Sequence, residues 1–189
     1  YLIALSNEKE IKGLPPFSNT QQSRLRKFYQ NFNSTCAKQV KAIETATNHD
    51  VKAIEYYLQT KVKKSLHPWI HFGLTSEDIN NLSYSLMWQD GLKQVYVPAL
   101  QSVNNLLKEF AKKYKNTSML ALTHGQPATP TTFGKEFAVF YMRLGRQIQQ
   151  IKSNILLGKF SGASGTWSAQ MAAYPKVNWI RFSSRFVKL

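Results

Sequence analysis

Three observations predict an all-α fold for this 189-residue chain. Apolar residues recur every three or four positions over most of its length, which is the spacing of one helix face. No run of convincing length alternates apolar and polar residues as a half-buried strand does. Glycine and proline number only 9 and 7, and they punctuate the helical patterns.

The elements follow from this spacing in order. GLPPFS, residues 13–18, is predicted to be a loop, and a helix starts at about Asn19. A second helix follows TNHD, a third follows residues 67–78 and resumes beyond Pro98, and a fourth runs from Thr131 to Leu157. Their apolar positions, helix by helix, are Leu25, Phe28, Phe32, Cys36, Val40 and Ile43; Val51, Ile54, Leu58 and Val62; Ile79, Leu82, Leu86, Leu100, Val103, Leu107, Phe110 and Tyr114; and Phe133, Phe137, Phe140, Leu144, Ile148, Ile151 and Ile155.

The fourth helix has the strongest pattern and indicates the architecture. Its apolar seam is typical of a helical bundle or coiled coil, and the predicted helix is about 40 Å long. Burying that seam requires other long helices, and we expect other subunits to supply some of them. The sequence therefore predicts an N-terminal helical domain, residues 1–80, followed by part of a long-helix bundle domain, residues 81–189.

The charge and the cysteine content restrict the class of protein. A net charge of +15 suggests an anionic partner, either nucleic acid or a phosphorylated metabolite. Equally, a piece of a larger protein can carry charge that its missing part balances, and both ends of this chain look cut. The single cysteine excludes an internal disulfide. No apolar run reaches the roughly 20 residues of a membrane span, so a cytoplasmic protein without a membrane contact is expected.

Three polar clusters interrupt the helices, at residues 47–50, 70–78 and 123–130. The four histidines lie in or beside these clusters. Each cluster can be interpreted as helix capping, by Thr47 or Asn48, by Thr75 with Asp78 or Ser76 alone, and by Thr131 or Thr132. Capping does not explain the imidazoles, which suit proton transfer near neutral pH. Hydroxyls and amides at helix N-termini suit anion binding. The clusters thus favour acid–base chemistry on a polyanion.

Metal binding is the main alternative for the histidines. His67 and His71 are four residues apart, but Pro68 disfavours a helical His67 and no acidic third ligand has a familiar spacing. We therefore expect no metal. Cys36 falls on an apolar stripe and is predicted to be a core residue. The Gly/Ser-rich segment from Gly158 to Ala169 lacks the ending and the preceding strand of a phosphate-binding loop.

Four blocks of the sequence together carry a family resemblance. TNHDVKAIEYYL, HFGLTSEDINNLSYSL, THGQPATPTTFGKE and GKFSGASGTWSAQMAAYP closely resemble the adenylosuccinate lyase family of the fumarase/aspartase superfamily, in order and in spacing. THGQPATP alone is shared by several relatives, and TNHD with TSEDINN narrows the resemblance to this branch. The resemblance implies that the two predicted domains are the N-terminal domain and the first long helices of a fumarase/aspartase-type central bundle.

The resemblance also implies a reaction and its partners. Such enzymes eliminate fumarate from adenylosuccinate to give AMP, and from the succinylated aminoimidazole carboxamide ribotide. They need no metal or redox cofactor, and they are homotetramers whose active sites combine residues of several subunits. No nucleic acid partner is implied.

Residue roles are implied by motif position. His124 matches the general acid, and His49 is expected to assist it. The remaining positions match substrate contacts, the last three less strongly: Asn48, His49, Asp50, Thr75, Ser76, Thr123, Gln126 and His71. Lys135 either lies near an anion or is a solvated helix residue.

Two family features have no match in the sequence. The general-base serine of the pattern Ser-Ser-x-Met-Pro-x-Lys-x-Asn does not occur before Leu189, and an N-terminal Arg-Tyr pair is absent. The 189-residue chain alone is therefore expected to be inactive. Three alternatives stay open: a sister fumarate-releasing lyase, a basic helical nucleic-acid-binding module, and a helical assembly scaffold.

Overall fold

The computed structural model describes residues 1–188 and consists mainly of helices, which confirms the predicted fold class. The α-helices and strands are α1 (Leu2–Ser6), α2 (Asn19–Gln30), α3 (Ser34–Thr47), α4 (Asp50–Gln59), α5 (His67–Ile70), α6 (Ser76–Gly91), α7 (Val97–Lys113), β1 (Ser118–Thr123), β2 (Gln126–Thr132), α8 (Phe133–Ser153), α9 (Ser168–Ala173) and α10 (Trp179–Phe186). A 3₁₀ turn spans Lys64–Leu66 and a π-helical turn spans Leu92–Tyr96. No helix among the described residues is long and apolar enough to cross a membrane.

The chain packs as two units. One comprises residues 1–84 and the chain from Gly158 onward, and the other comprises residues 85–157. The sequence placed everything after residue 80 in one bundle domain. In the structure the described residues from Gly158 onward pack with the N-terminal segment instead, because their aromatic side chains complete its core.

The core of the first unit joins the two ends of the described chain. Its buried members are Leu5, Ile11, Leu14, Phe160, Val177, Trp179 and Phe182. Ring contacts such as Tyr1 against Phe160, with centroids 5.5 Å apart, connect the segments. Burial of several aromatic side chains is a large hydrophobic contribution, on the order of 2–3 kcal/mol for each. This core holds residues 158–166 beside the start of α6.

A second core cluster of this unit lies between α3 and α4, where Val40, Ala53 and Tyr57 are buried and half-buried Cys36 packs against them. The packing agrees with the prediction of a core cysteine. The prediction of one continuous helix from Asn19 to about residue 47 is wrong. The chain breaks at residues 31–33, because the Asn33 side chain accepts the backbone N–H of Cys36 at 3.1 Å and starts a new helix.

The second unit is built on α7 and α8. The π-helical turn precedes α7, where Val97 N–H donates to the Leu92 carbonyl, five residues back. Pro98 explains this wider turn, since it has no N–H to donate and its ring would clash with a carbonyl of a regular helix.

Aromatic packing and one glycine hold α7 against α8. Phe110 packs on Phe137 with ring centroids 5.1 Å apart, and Tyr114 packs on Phe133 at 5.3 Å. Gly134 is buried where a methyl group would lie 2.6 Å from the backbone nitrogen of Lys115. α8 is shorter than predicted and begins after the Thr132 cap, whose side chain accepts Lys135 N–H at 3.2 Å. That cap was one of the two predicted.

A two-stranded antiparallel hairpin connects α7 and α8, and the sequence did not predict it. Ser118 pairs with Thr132, and Thr123 pairs with Gln126. β2 contains Pro127 and Pro130, which a two-stranded ribbon tolerates because each strand has an unpaired edge.

Candidate active site

The His49 ring caps α4. Its Nδ1 accepts the backbone N–H of Lys52 at 3.3 Å. A neutral imidazole that accepts at Nδ1 carries its proton on Nε2. Nε2–H therefore donates to Ser76 Oγ, 3.4 Å away. The ring is held between the N-termini of α4 and α6 in one tautomer, and two predicted site residues are brought together.

Asn48 and Asp50 flank this ring. Asn48 ends α3 in the left-handed conformation, with φ +51°, so the prediction that Asn48 or Thr47 caps the next helix is wrong. His49, whose backbone is extended, is the N-cap residue of α4, and its imidazole makes the capping hydrogen bond. The hydrogen bond from Val51 N–H, 2.7 Å from Asp50 Oδ1, is the main cause that lowers the pKa of the exposed Asp50 carboxyl.

The Asp50 carboxylate also lies close to this ring. Its Oδ1 is 3.3 Å from His49 Nδ1, the nitrogen that accepts the backbone N–H of Lys52.

His71 lies in a more enclosed position. Its Nδ1 is 4.0 Å from Glu55 Oε2, the oxygen that also binds Lys52 Nζ at 2.6 Å. Burial lowers the pKa of His71, and the nearby Lys52 and His49 act in the same direction, so the opposing Glu55 carboxylate is outweighed. The ring is neutral at pH 7 and serves as a hydrogen-bonding group.

Thr75 and Ser76 stand at the start of α6. The backbone N–H of Thr75 donates to Asp78 Oδ2 at 3.1 Å, which is one half of the predicted capping box, while Asp78 N–H donates to the Thr75 carbonyl at 3.1 Å. The positive end of a 16-residue helix attracts anions. The Ser76 hydroxyl, shared with His49, lies at that end together with the acidic first-turn residues Glu77 and Asp78.

His124 occupies the tip of the hairpin in the second unit. It and Gly125 form the two-residue turn between Thr123 and Gln126, with φ values of +50° and +74°. Positive φ at both central positions is the pattern of a type I′ turn, which matches the twist of the strands. A histidine there costs on the order of 1–2 kcal/mol of backbone strain. The His124 side chain is exposed.

The rest of the THGQPATP segment supports this tip. Thr123 and Gln126 are both exposed beside the turn. Lys135 lies in the first turn of α8, where its Nζ binds Glu136 Oε1 at 2.9 Å. This ion pair fits the interpretation of Lys135 as a surface residue.

The histidines do not assemble a metal site in the described part of the chain. Among residues 1–188, no three His, Cys, Asp or Glu side chains come together as potential ligands. His67 is helical, contrary to the prediction, because it precedes a proline that occupies the first turn of α5, where no N–H is needed. His71 faces Glu55.

The structure thus forms two groups of predicted residues. Asn48, His49, Asp50, Ser76 and Thr75 adjoin one another in the first unit, and Thr123, His124 and Gln126 adjoin one another in the second. Sequence reasoning missed Glu55 as the partner of His71 and Lys159 as the partner of Asp78. Neither pairing has a local sequence signal, since each joins distant segments.

A family sequence model described as Lyase matches residues 2–185. The chain belongs to this lyase family. The resemblance carried by the four sequence blocks is confirmed by relatives named adenylosuccinate lyase. Those of Haemophilus influenzae and Escherichia coli are 41% and 42% identical over 192 residues, and that of Dictyostelium discoideum is 41% identical over 198 residues. The matches cover 99% or 100% of this chain and 42% of each relative, so the chain spans about two fifths of their length.

Two solved structures share the fold of this chain. A fumarate lyase from Mesorhizobium superimposes with a TM-score of 0.75 at 23% identity, over 99% of this chain and 43% of that one. A 3-carboxy-cis,cis-muconate lactonizing enzyme from Pseudomonas putida gives 0.70 at 23% identity, over 100% of this chain and 42% of that one. At an identity of 23%, these likenesses establish the fold of this chain but not its activity.

Proposed function

We propose that this chain is part of an adenylosuccinate lyase of purine nucleotide synthesis. The observation that carries the proposal is an identity of 41–42% to enzymes of that name over 99% of the chain. The reaction is elimination of fumarate from adenylosuccinate, which leaves AMP, and from the succinylated aminoimidazole carboxamide ribotide. The +15 charge suits such substrates, which carry a phosphate and two carboxylates.

The chemistry needs a base, an anion site and an acid. A base takes a proton from the succinyl carbon next to a carboxylate, and the electrons of the C–H bond spread onto that carboxylate. They then form the C=C bond of fumarate as the C–N bond breaks. The departing nitrogen takes the electrons of the C–N bond and receives a proton from the acid. Prearranged donors stabilise the intermediate charge.

His124 is proposed as the acid. Imidazole is the side chain most often used for proton transfer in enzymes, and the type I′ turn fixes the His124 backbone while leaving the ring accessible. Thr123 and Gln126 beside it are proposed substrate contacts. A proton donor acts only from a defined position, which supports the use of a strained, tight turn at this residue.

The first unit is proposed to hold the substrate. Thr75 and Ser76 bind an anionic group at the positive end of α6, Asn48 and Asp50 contact substrate polar groups, and His71 contributes a neutral donor. His49, linked to Ser76 at 3.4 Å, assists proton transfer. In the family pattern the base is a serine downstream of residue 189, so we propose that the 189-residue chain alone is inactive.

A cytoplasmic homotetramer is proposed for the complete enzyme. The second unit leaves large apolar side chains uncovered, among them Trp88 at 63%, Val95 at 68% and Phe140 at 57% exposure. Apolar surface of this kind is typical of a subunit interface, and Phe140 belongs to the predicted seam. The single free cysteine is consistent with a reducing compartment. A molar mass of four subunits by light scattering is the expected result.

The test is turnover by the complete enzyme. Adenylosuccinate should yield AMP and fumarate in equal amounts, measured by liquid chromatography, with no turnover by the 189-residue chain alone. A panel of other succinylated compounds separates this activity from that of a sister lyase. Failure to release fumarate from adenylosuccinate contradicts the proposal, and salt-sensitive nucleic acid binding in its place would support a basic binding module.

A further inference from the structure

Asp78 is a buried carboxylate that the proposed reaction does not use. Its side chain is 0% exposed, and its two oxygens accept hydrogen bonds from four residues, three of which lie in the distant segment 159–162. Oδ1 accepts Lys159 Nζ at 2.7 Å and Ser161 N–H at 3.0 Å. Oδ2 accepts Thr75 N–H at 3.1 Å and Gly162 N–H at 3.0 Å. These five residues are called the Asp78 cluster below.

The hydrogen bonds of the cluster compensate the burial of its charge. An unpaired buried carboxylate is too costly to stay ionised. Burial tends to raise the pKa of Asp78, but the bonds from Lys159, Thr75 and Ser161 outweigh it and keep the pKa below its usual value. The carboxylate is therefore ionised, and its donors stabilise the charge.

The cluster also explains the Gly/Ser-rich loop. The N–H groups of Ser161 and Gly162 converge on one anion, as in a phosphate-binding loop. Here that anion is the protein's own Asp78, so the loop's donors are already used.

Two further contacts fix the loop to the start of α6. The Asn81 side chain accepts Lys159 N–H at 2.7 Å and donates to the Lys159 carbonyl at 2.9 Å. Gln170 is fully buried between two glycines of positive φ, Gly73 and Gly162. A methyl group on Gly73 would lie 2.5 Å from Gln170 Cγ. Residues 73–81 and 158–162 are thus tied at several points.

We propose that Asp78 is a positioning residue of the ligand site, which acts by fixing the Thr75–Ser76 segment to residues 159–162. The inference rests on the proposed function for the identity of the ligand. Asp78 itself does not touch substrate. It places the Thr75 and Ser76 groups before substrate arrives.

The test compares Asp78→Asn with Glu77→Gln in the complete enzyme. Both changes remove one negative charge, but Glu77 is exposed, whereas Asn at position 78 turns N–H groups toward the donors of the cluster. The expected result for Asp78→Asn is a KM for adenylosuccinate raised about 10-fold or more with kcat changed less than about 3-fold, the pattern of lost binding contacts. Glu77→Gln should match wild type.

Lys159 supplies a milder pair of variants in case Asp78→Asn does not fold. Lys159→Met removes one donor and should raise KM by a smaller factor. Lys159→Arg keeps a charged donor and should restore most of the wild-type KM. A purely structural role would instead lower the amount of folded enzyme without this KM pattern.

Each outcome decides the inference. Provided that wild type is an active lyase, two results overturn the inference. One is that Asp78→Asn has the same kinetics as Glu77→Gln. The other is a fall in kcat at unchanged KM in both Asp78→Asn and Lys159→Met. If wild type itself releases no fumarate, the proposed function fails. Hydrogen exchange then tests the positioning role of Asp78 without any measurement of activity. Faster exchange of residues 73–81 in Asp78→Asn but not in Glu77→Gln supports this role, and equal exchange in the two variants overturns it.

Discussion

The two histidines proposed for proton transfer are held in opposite ways. His49 is fixed through its side chain, with Nδ1 on a helix N-terminus and Nε2 on the Ser76 hydroxyl. His124 is fixed through its backbone, at a hairpin tip with φ +50°, and its ring is exposed. The first arrangement suits a group that binds and orients. The second suits a donor that must reach a substrate brought to it.

The difference predicts which changes each region tolerates. Around His49, damage should come from side chains that lose a hydrogen-bonding partner. In the hairpin, damage to function should come from His124 itself, and damage to stability from the glycines that set its backbone.

The largest effect is expected from His124→Ala. Loss of the general acid should lower kcat by about 10²- to 10⁴-fold with little change in thermal stability, because the side chain is exposed. Lys112→Gln, an exposed change on α7, is the control and should keep wild-type kcat. Steady-state kinetics of the complete enzyme measure both, and a kinetically silent His124→Ala would favour a scaffold role.

At the base of the hairpin we expect a large loss of stability, whereas at its tip we expect a large loss of kcat. Gly134→Ala places a methyl group against the backbone at the end of α7 and just beyond it, with Lys115 N at 2.6 Å, and we expect about 3 kcal/mol of destabilisation or more. Gly145→Ala is the control on the same helix, since its methyl group would meet only Asn104 Nδ2 at 3.4 Å. That variant should be neutral or stabilised by up to ~1 kcal/mol. Thermal unfolding distinguishes the two, and equal midpoints would contradict the close packing of α7 on α8.

Two glycines with positive φ, one in each unit, allow the cost of an added methyl group to be compared between the two regions. Gly73→Ala combines a φ of +64° with overlap against buried Gln170, so about 2–4 kcal/mol of destabilisation is expected. Gly125→Ala has φ +74° but nothing within 4 Å of the new methyl group, which leaves about 1–2 kcal/mol. Denaturant unfolding should rank them in that order. The reverse order would mean that the hairpin turn is more constrained than the Gly73 loop.

The smallest effect concerns pH. Because burial lowers the pKa of His71 below its ordinary 6.5, the unfolded chain binds a proton at a higher pH than the folded chain. His71 therefore stabilises the fold fully above pH 6.5, and this contribution is lost as the pH falls toward the lower folded pKa. His71→Gln should reduce the loss of stability between pH 7.5 and pH 5.5, whereas exposed His124→Gln should not. Unfolding midpoints at the two pH values test this, and identical pH dependence in all three proteins would contradict the burial of His71.

Local sequence signals account for most of the fold but not for its long-range contacts. The periodicity of α8 and its Thr132 cap were predicted, because both depend on neighbours within one or two turns. The hairpin was missed, since two prolines and short polar residues in β2 give no alternation. The break at Asn33 was missed because the apolar spacing continues across it.

The site shows the same limit. Motif position predicted that His49 and Ser76 both belong to it, but it did not reveal that the ring replaces Asn48 as the helix cap. The bond from Lys159 to Asp78 joins residues 81 positions apart, and only the folded core brings them together. Such contacts depend on tertiary packing and lie outside periodicity, spacing and capping rules.

The most direct measurement of the central claim is a crystal structure of the complete enzyme with adenylosuccinate bound. We predict a ring nitrogen of His124 within hydrogen-bonding reach, about 2.6–3.2 Å, of the purine nitrogen that carries the succinyl group. A substrate bound with another side chain at that nitrogen, and His124 far from it, would contradict the assignment of His124 as the acid.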